Sequence, residues 1–582
     1  MEDPFYSPPR RFTTGRYLLH RIGRYRRGRT GFVLLSILIL SCFYFVSTIS
    51  IVDITNRALI PLRFPSSFEP GRFAASFHLS DNVEPVAEQH TSLAKPSRLH
   101  LLVPATTSNE NLCKTILSAL ILNYPPPTLI NFNKTFEDEG WDNGTHTGKI
   151  RGVLDFLSDA EQVQDDDIVL VIDGYDIWFQ LPSQVMLSRF RKLVKDSNVK
   201  LRQRYGSTFQ SRSHNGFGKN DNRYELSVLF AADKICWPNS YTDPACSSVP
   251  ESTLPADAWG PATDQDPAAF LNRPKYLNSG TVIGKAADLR MVYKQAVQKV
   301  EVEEKGQLGD QFVFAEIFGE QEYMREADRQ SRLSAGARWR EWVSEQLGLQ
   351  SRNPLNTSIF PANVNTFCEE FEFGIGLDYE AQLFQTLTHS HGDLEFLKYS
   401  NTTKLVEAQD LHRVNLRSEV QLSEDLQNIP GPFHLKSPVN NTITPLSSDL
   451  DHLPATDSSW ADIGLASNLH VPSIPSLFHF NGDKEYLTSW WPSMWFQPWG
   501  RALLRRYIRT PPASDILDSR GGKGGVWASD NTFLQWSDLC GGYEDAIFAD
   551  GKGLWGKEEG GIKIYNAFGK LIAGEEDEEL EE

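Results

Sequence analysis

Two aspartates three positions apart, Asp173 and Asp176, follow the unbroken apolar run Ile168-Val169-Leu170-Val171-Ile172. Gly174 lies between them, and a tight turn at that glycine aims both carboxylates at one point. Like charges sharing a site call for a cation between them, and a hard divalent ion with oxygen ligands is suited to the place. Solvated turn aspartates give the same sequence, so the pair alone stays open to both readings. A second group stands much later, in Ser476-Leu477-Phe478-His479-Phe480-Asn481-Gly482-Asp483-Lys484. There an imidazole at His479 can complete a divalent site, Gly482 lets a backbone N–H approach a phosphate, and Lys484 offers a point charge to a diphosphate. A histidine between Phe478 and Phe480 is also at home as a hydrogen-bonded core residue. The argument is the joint occurrence.

The surrounding patterns are those of a sheet able to carry such a site. Ile168 to Ile172 reads as a strand buried on both faces, and in open α/β sheets ligands collect beyond the carboxyl ends of strands. Leu99-His100-Leu101-Leu102-Val103-Pro104 predicts a first strand, closed by Ala105-Thr106-Thr107 and followed by a helix over Leu112 to Leu122. Strand, polar turn and helix open a nucleotide-binding α/β unit. Thr106 in that turn and Tyr175 between the aspartates are candidate nucleotide contacts. A second helical pattern, Val153 to Leu157, follows Lys149 and Arg151, and Leu226 to Phe230 predicts another strand running into Ala231-Ala232-Asp233. Tyr276 to Gly284 is apolar on both sides of the small polar centre Asn278-Ser279-Gly280, as when backbone must lie close to a ligand. The expected fold class is α/β, a mixed and mostly parallel sheet flanked by helices.

Six motifs in one order, Asp173-Gly-Tyr-Asp176, Cys236-Trp-Pro238, Asn278-Ser-Gly280 with Ile283-Gly284, Asp310-Gln311, Leu377-Asp-Tyr379 and His479-x-Asn-Gly-x-Lys484, span roughly residues 96 to 500. Together they resemble the glycosyltransferase domain of the procollagen lysyl hydroxylases and the related collagen-type glycosyltransferases. The resemblance implies a GT-A fold, a UDP-sugar donor and Mn²⁺ or another divalent cation held by Asp173, Asp176 and His479. It further implies Lys484 at the diphosphate, Lys149 near the nucleotide, Asn278 and Asp310 near the donor sugar, and transfer with retention. Elementary chemistry agrees. A leaving diphosphate gathers negative charge that a divalent ion and a lysine stabilise, and an oxocarbenium-like centre wants carboxylate or amide oxygens near it. Asp310 and Asn278 are the candidates for that role, although a helix N-terminal aspartate and a core asparagine read the same way. The chain carries no hydroxylase portion, so the acceptor, a glycan or a protein, is not assigned.

At 582 residues the chain has room for a large core. A formal charge of −18 argues against nucleic-acid partners, which need a basic face. The charge is uneven: the first thirty residues hold eight arginines, and Glu575 to Glu582 is almost wholly acidic. Gly31 to Val52 is a 22-residue run without Asp, Glu, Lys or Arg, long enough to cross a hydrocarbon core of about 30 Å. The arginines before it keep that side cytosolic. The expected organisation is therefore a cytoplasmic tail (1–30), a transmembrane anchor (31–52), a stem (53–96), a GT-A domain (97–505) and a C-terminal extension with an acidic tail (506–582). Insertions are expected at about 318–360 and 398–470. The placement is a single-pass type II protein of the Golgi or ER membrane with its catalytic domain lumenal. Sequons beginning at Asn133, Asn143, Asn356, Asn401 and Asn440 are consistent with it. Six cysteines provide no disulfide framework, though Cys236 and Cys246 are close enough to bridge a loop.

Other readings use the same residues. Asp264-Gln265-Asp266 is a literal Asp-x-Asp, but it sits in a Pro- and Ala-rich loop and reads as solvated. A strand ending in aspartate also fits a metal-dependent phosphohydrolase with an aspartyl nucleophile, although Tyr175 stands where its second carboxylate belongs. A catalytically inactive membrane-anchored glycoprotein could keep the pocket for binding. Trp490, Trp491, Trp495 and Trp499 fit a core or the floor of an acceptor groove.

Overall fold

A run such as Ile168–Ile172, β-branched and uncharged, has no face to offer water, and a sheet covered on both sides accommodates it. The computed structural model describes residues 97–136, 143–209, 220–302, 309–346, 371–412, 420–434, 452–509, 520, 524–551, 564–565 and 571–573. All belong to one unit, Leu93–Glu582. The tail, anchor and stem expected over residues 1–96 lie outside the described residues. Among the described residues no helix is long and apolar enough to cross a membrane.

The elements follow the expected strand and helix alternation. They begin with β1 (Leu99–Pro104), α1 (Glu110–Ile121), β2 (Thr128–Ile130), α2 (Asn143–Ser158), β3 (Ile168–Ile172), β4 (Ile177–Phe179) and α3 (Ser183–Tyr205). Next come β5 (Val228–Asp233), β6 (Tyr276–Lys285), α4 (Ala286–Val302), α5 (Gly309–Arg332) and α6 (Ala335–Gln346). The chain continues with β7 (Ile375–Asp378), β8 (Phe384–Thr386), β9 (Leu477–His479), β10 (Gly525–Ala528) and β11 (Phe533–Gln535). Eight strands form one sheet in the order β11-β10-β2-β1-β3-β6-β5-β7. The ladders β10–β2, β2–β1, β1–β3 and β5–β7 are parallel, and β3–β6, β6–β5 and β10–β11 are antiparallel. The fold is a mixed, mostly parallel α/β sheet flanked by helices.

Alternate residues divide the core between the two faces. Leu101, Val103, Leu170 and Ile172 join one apolar cluster with α1, α3 and the tryptophans that follow residue 490, whereas Leu102, Val169 and Val171 join a second with α2, α4 and α5. Trp491 and Trp495 are buried, and Trp490 and Trp499 pack against the same cluster, so these rings are core.

A three-stranded sheet, β8-β9-β4, leans on the large one and positions the site. Its middle strand sets His479 opposite Ile177, the residue after Asp176, and beside Thr386. In β6 the pairing with β5 jumps from Phe230↔Val282 to Ala231↔Asn278, so the intervening residues leave the ladder. Such a bulge re-aims side chains, here those of Asn278 and Ser279.

Three stretches differ from their sequence expectation. An insertion is expected from about 318, yet α5 stays buried from Val313 to Asp328. Its charges are paired rather than solvated: Arg325 with Glu322 at 2.7 Å, Arg329 with Glu326 at 2.6 Å and Asp328 with Arg223 at 2.6 Å. The second expected insertion, 398–470, sends Leu405, Leu426, Phe433, Trp460 and Leu465 into the main core. The expected C-terminal extension completes the sheet, because β10 pairs with β2 (Trp527↔Thr128). A disulfide from Cys540 to Cys113 on α1 fastens that segment, and a second joins Cys236 to Cys246. The acidic tail after residue 573 lies outside the described residues.

Candidate metal and nucleotide site

Strand β3 delivers Asp173 to the carboxyl edge of the sheet, where its N–H donates to the Gly280 carbonyl at 2.9 Å. Gly174 must be small, because a Cβ there would lie 2.6 Å from the Pro104 carbonyl oxygen at the end of β1. The Tyr175 hydroxyl accepts from the N–H groups of Thr106 and Thr107, both at 3.1 Å, and donates to the Thr107 carbonyl at 3.0 Å. Tyr175 and Thr106, both expected at the nucleotide, thus tie the aspartate turn to the turn after β1. Asp176 closes the loop, its carbonyl accepting from Phe480 N–H at 2.9 Å.

Ligand atoms of Asp173, Asp176 and His479 lie within 4.8 Å of one another. His479 Nε2 is 3.5 Å from Asp173 Oδ2 and 3.5 Å from Asp176 Oδ2. Its Nδ1 is 2.9 Å from Asn278 Oδ1, and an amide oxygen only accepts, so Nδ1 carries hydrogen and Nε2 faces the carboxylates. Burial pushes the imidazole pKa down, but Asp176 and then Asp173 outweigh it and raise it above the ordinary value. Burial likewise pushes Asp176 up, and His479 and Lys484 hold it well below the carboxylate range. The geometry therefore favours positive charge at the meeting point of the three side chains. Two carboxylate oxygens and an imidazole nitrogen form a donor set suited to Mn²⁺ and similar ions. Gly280 leaves the space, since a Cβ there would overlap the His479 ring and come within 2.7 Å of Asp173 Oδ2.

Lys149 on α2 is buried and donates to Asp173 Oδ1 at 2.5 Å and Asp310 Oδ2 at 2.7 Å. Burial lowers its pKa, but Asp173 and Asp310 raise it further, so the amine stays charged. Asp310, in the first turn of α5, also accepts from Ser279 Oγ at 3.0 Å. Lys484 donates to Asp176 Oδ2 at 2.7 Å and to the Phe480 carbonyl at 2.6 Å, with its side chain 57 % exposed at the mouth. Gly482 lies beside it on the surface, packed against Thr388.

Asn278, expected near the donor sugar, hydrogen-bonds within the cluster. Its Oδ1 accepts from His479 and from Gly280 N–H at 3.1 Å, and its Nδ2 donates to Asp233 Oδ2 at 2.9 Å. It is a positioning residue for His479. Asp233 is the member that sequence reasoning missed. This buried carboxylate, which burial pushes above its ordinary value, also receives Asn481 Nδ2 at 3.2 Å. A signal existed, since Asp233 closes an apolar strand as Asp173 follows another. Asp264 stands apart from the cluster and takes Arg273 Nε at 2.7 Å in its own loop. Compared with known proteins, the chain matches no family model and no curated relative.

Proposed function

We propose that this protein is a metal-dependent glycosyltransferase of GT-A type that moves a hexose from a UDP-sugar to a hydroxyl acceptor. The observation that carries the reading is the convergence of Asp173, Asp176 and His479 Nε2, with Nδ1 locked by Asn278, beyond the carboxyl end of a buried strand. The three would hold the divalent ion, which neutralises charge gathering on a departing diphosphate. Lys484 adds a solvent-facing cation at the same mouth. Lys149 fixes Asp173 and Asp310 by a hydrogen bond to each, and Asp310 supplies carboxylate charge near an electron-poor sugar carbon. In the transfer the acceptor oxygen bonds to C1 of the donor, the C1–O bond to the diphosphate breaks, and UDP departs with that electron pair.

The same proposal includes a type II placement, with residues 31–52 as anchor and the described unit in the Golgi or ER lumen. Two disulfides suit an oxidising compartment, and the sequon residues Asn133 and Asn401 are exposed. Asn401 caps a helix through Oδ1, which accepts from Lys404 N–H at 3.1 Å and leaves Nδ2 for a glycan.

The test is UDP release from a panel of UDP-hexoses by the full-length protein in detergent. Release is expected to require Mn²⁺, to stop with chelator, and to be lost in Asp173→Ala. Turnover of a plain phosphomonoester in place of the nucleotide sugar would identify a phosphohydrolase, and no UDP binding with Mn²⁺ present would identify an inactive scaffold.

A further inference from the structure

A strip of aromatic rings borders the candidate site and takes no part in holding the ion. It is built by three loops, each fastened to the site. The turn after β8 is fixed by Leu387 N–H on the His479 carbonyl at 3.0 Å and by Thr388 N–H on Asn481 Oδ1 at 3.0 Å. Within it His389 adopts φ 60°, a region few side chains enter, and its imidazole stacks on Phe270 with centroids 5.1 Å apart and planes 25° apart. Phe270 is 42 % exposed, and its carbonyl accepts from Lys234, the residue after Asp233. His391 stands edge-on to Phe270 at 5.9 Å and stacks on Tyr486 at 4.9 Å and 29°. Tyr486 lies two residues beyond Lys484, which holds Asp176. Four rings thus run from the Asp233 loop to the Lys484 loop.

The charges behind the strip cancel. Lys234 Nζ is 2.6 Å from Asp393 Oδ2 and lies over the Trp259 ring, whose Nε1 donates to Asp393 Oδ1 at 2.9 Å. Burial and then the Lys234 charge hold His389 below its ordinary pKa, so its ring is neutral at neutral pH. Phe270 and His389 stack as one pair and His391 and Tyr486 as a second, with His391 edge-on to Phe270, so the strip is an angled aromatic surface with Phe270 exposed and polar ring atoms along its edges. An aliphatic peptide side chain would be matched by an aliphatic pocket, and a basic or acidic peptide by opposite charge. A pyranose has one C–H face to stack on a ring and a rim of hydroxyls for imidazole and phenol edges.

We infer that Phe270, His389, His391 and Tyr486 form the acceptor subsite, and that the acceptor it takes is an uncharged hexopyranose of a glycan. The inference rests on the glycosyltransferase reading and adds the substrate class. A hydroxyl of that sugar forms the bond to the donor C1, UDP leaves with the C1–O electron pair, and the hydroxyl proton passes to water.

The experiment compares two rates in the full-length protein with Mn²⁺ and the accepted UDP-hexose: hydrolysis to free sugar, and transfer to methyl β-galactoside or methyl β-glucoside. Binding of both methyl hexosides is measured separately by saturation-transfer NMR. In Phe270→Ala and Tyr486→Ala the ratio of transfer to hydrolysis is expected to fall at least ~10-fold through KM for the hexoside, with the NMR signal lost. Trp339→Ala, which removes an exposed ring on α6, is expected to change neither. An unchanged ratio in both strip variants overturns the subsite while leaving the transferase reading in place. Transfer to a hydroxyl-bearing peptide and to neither hexoside overturns the acceptor class. Should the wild type release no UDP, the transferase reading fails. The strip is still judged by NMR, where hexoside binding lost in the variants supports a sugar site and no binding to the wild type overturns it.

Discussion

Strand β3 carries a carboxylate just before each end, or just beyond it, and the two ends use them differently. Before its amino end, Asp167 accepts from Arg98 N–H at 2.9 Å, Arg98 Nη2 at 2.8 Å, His100 Nε2 at 3.0 Å and Gln164 N–H at 2.9 Å. Past its carboxyl end, Asp173 and Asp176 converge on His479 Nε2 from 3.5 Å each, too long for hydrogen bonds. A carboxylate surrounded by fixed donors fastens the chain to itself. Carboxylates gathered with a nitrogen around a shared point carry charge that a bound cation balances best. The contrast separates an acid tied down by hydrogen bonds from the acids that the proposal makes ligands, and burial alone would not, because Asp167 is more buried than Asp173.

The sharpest way to break the contrast is Asp176→Asn. Mn²⁺-dependent UDP release is expected to fall on the order of 10³-fold while the metal-free Tm moves by about 2 °C or less. Calorimetric Mn²⁺ titration and a thermal melt check the two halves, and a large loss of Tm would place Asp176 with the structural acids. A smaller effect is expected from Asn278→Ala, which unlocks His479 without removing a ligand. Its Mn²⁺ Kd should rise roughly 10–100-fold in a normally folded protein. Unaltered affinity would show that Nδ1 needs no partner. The smallest effect on activity belongs to Asp167→Asn, expected to leave kcat within about twofold while lowering unfolding stability by about 3 kcal/mol.

The same acid predicts a pH dependence. Burial pushes Asp167 up, but hydrogen bonds from His100, Arg98 and Gln164 hold its pKa well below the ordinary carboxylate value. A depressed folded-state pKa contributes stability above the unfolded value of about 3.9 and loses it as pH falls below that value toward the folded one. Denaturant midpoints measured from about pH 5 down to 2 should therefore drop less steeply in Asp167→Asn than in the wild type. Equal slopes would remove Asp167 from the acid sensitivity of the fold.

Much of the central sheet was legible in local pattern. Leu99–Pro104, Ile168–Ile172 and the polar centre of Tyr276–Lys285 stand where their residues put them, because apolar runs of that length leave few alternatives to a covered strand. The glutamate-rich face of α5 was not legible. Arg325 and Arg329 meet Glu322 and Glu326 one turn back on the same helix, but Asp328 takes Arg223 from 105 residues earlier, a partner that no local window contains. The strand Gly525–Ala528, next to the edge of the sheet, was missed for a related reason, since its partner Thr128–Ile130 is remote and a four-residue strand has no periodicity to detect.

By itself the sequence determined the residue types of the site: two aspartates after a buried strand, a histidine between phenylalanines, and a lysine past a glycine. Those follow from composition over a few residues, where turn geometry and burial act locally. Only the tertiary structure decided that Asn278 holds His479 Nδ1, that Asp233 stands behind both, and that Phe270, His389, His391 and Tyr486 come together. These depend on a bulge in one strand and on pairing between strands far apart in the chain, and hydrogen bonds of that range are set by the packed sheet.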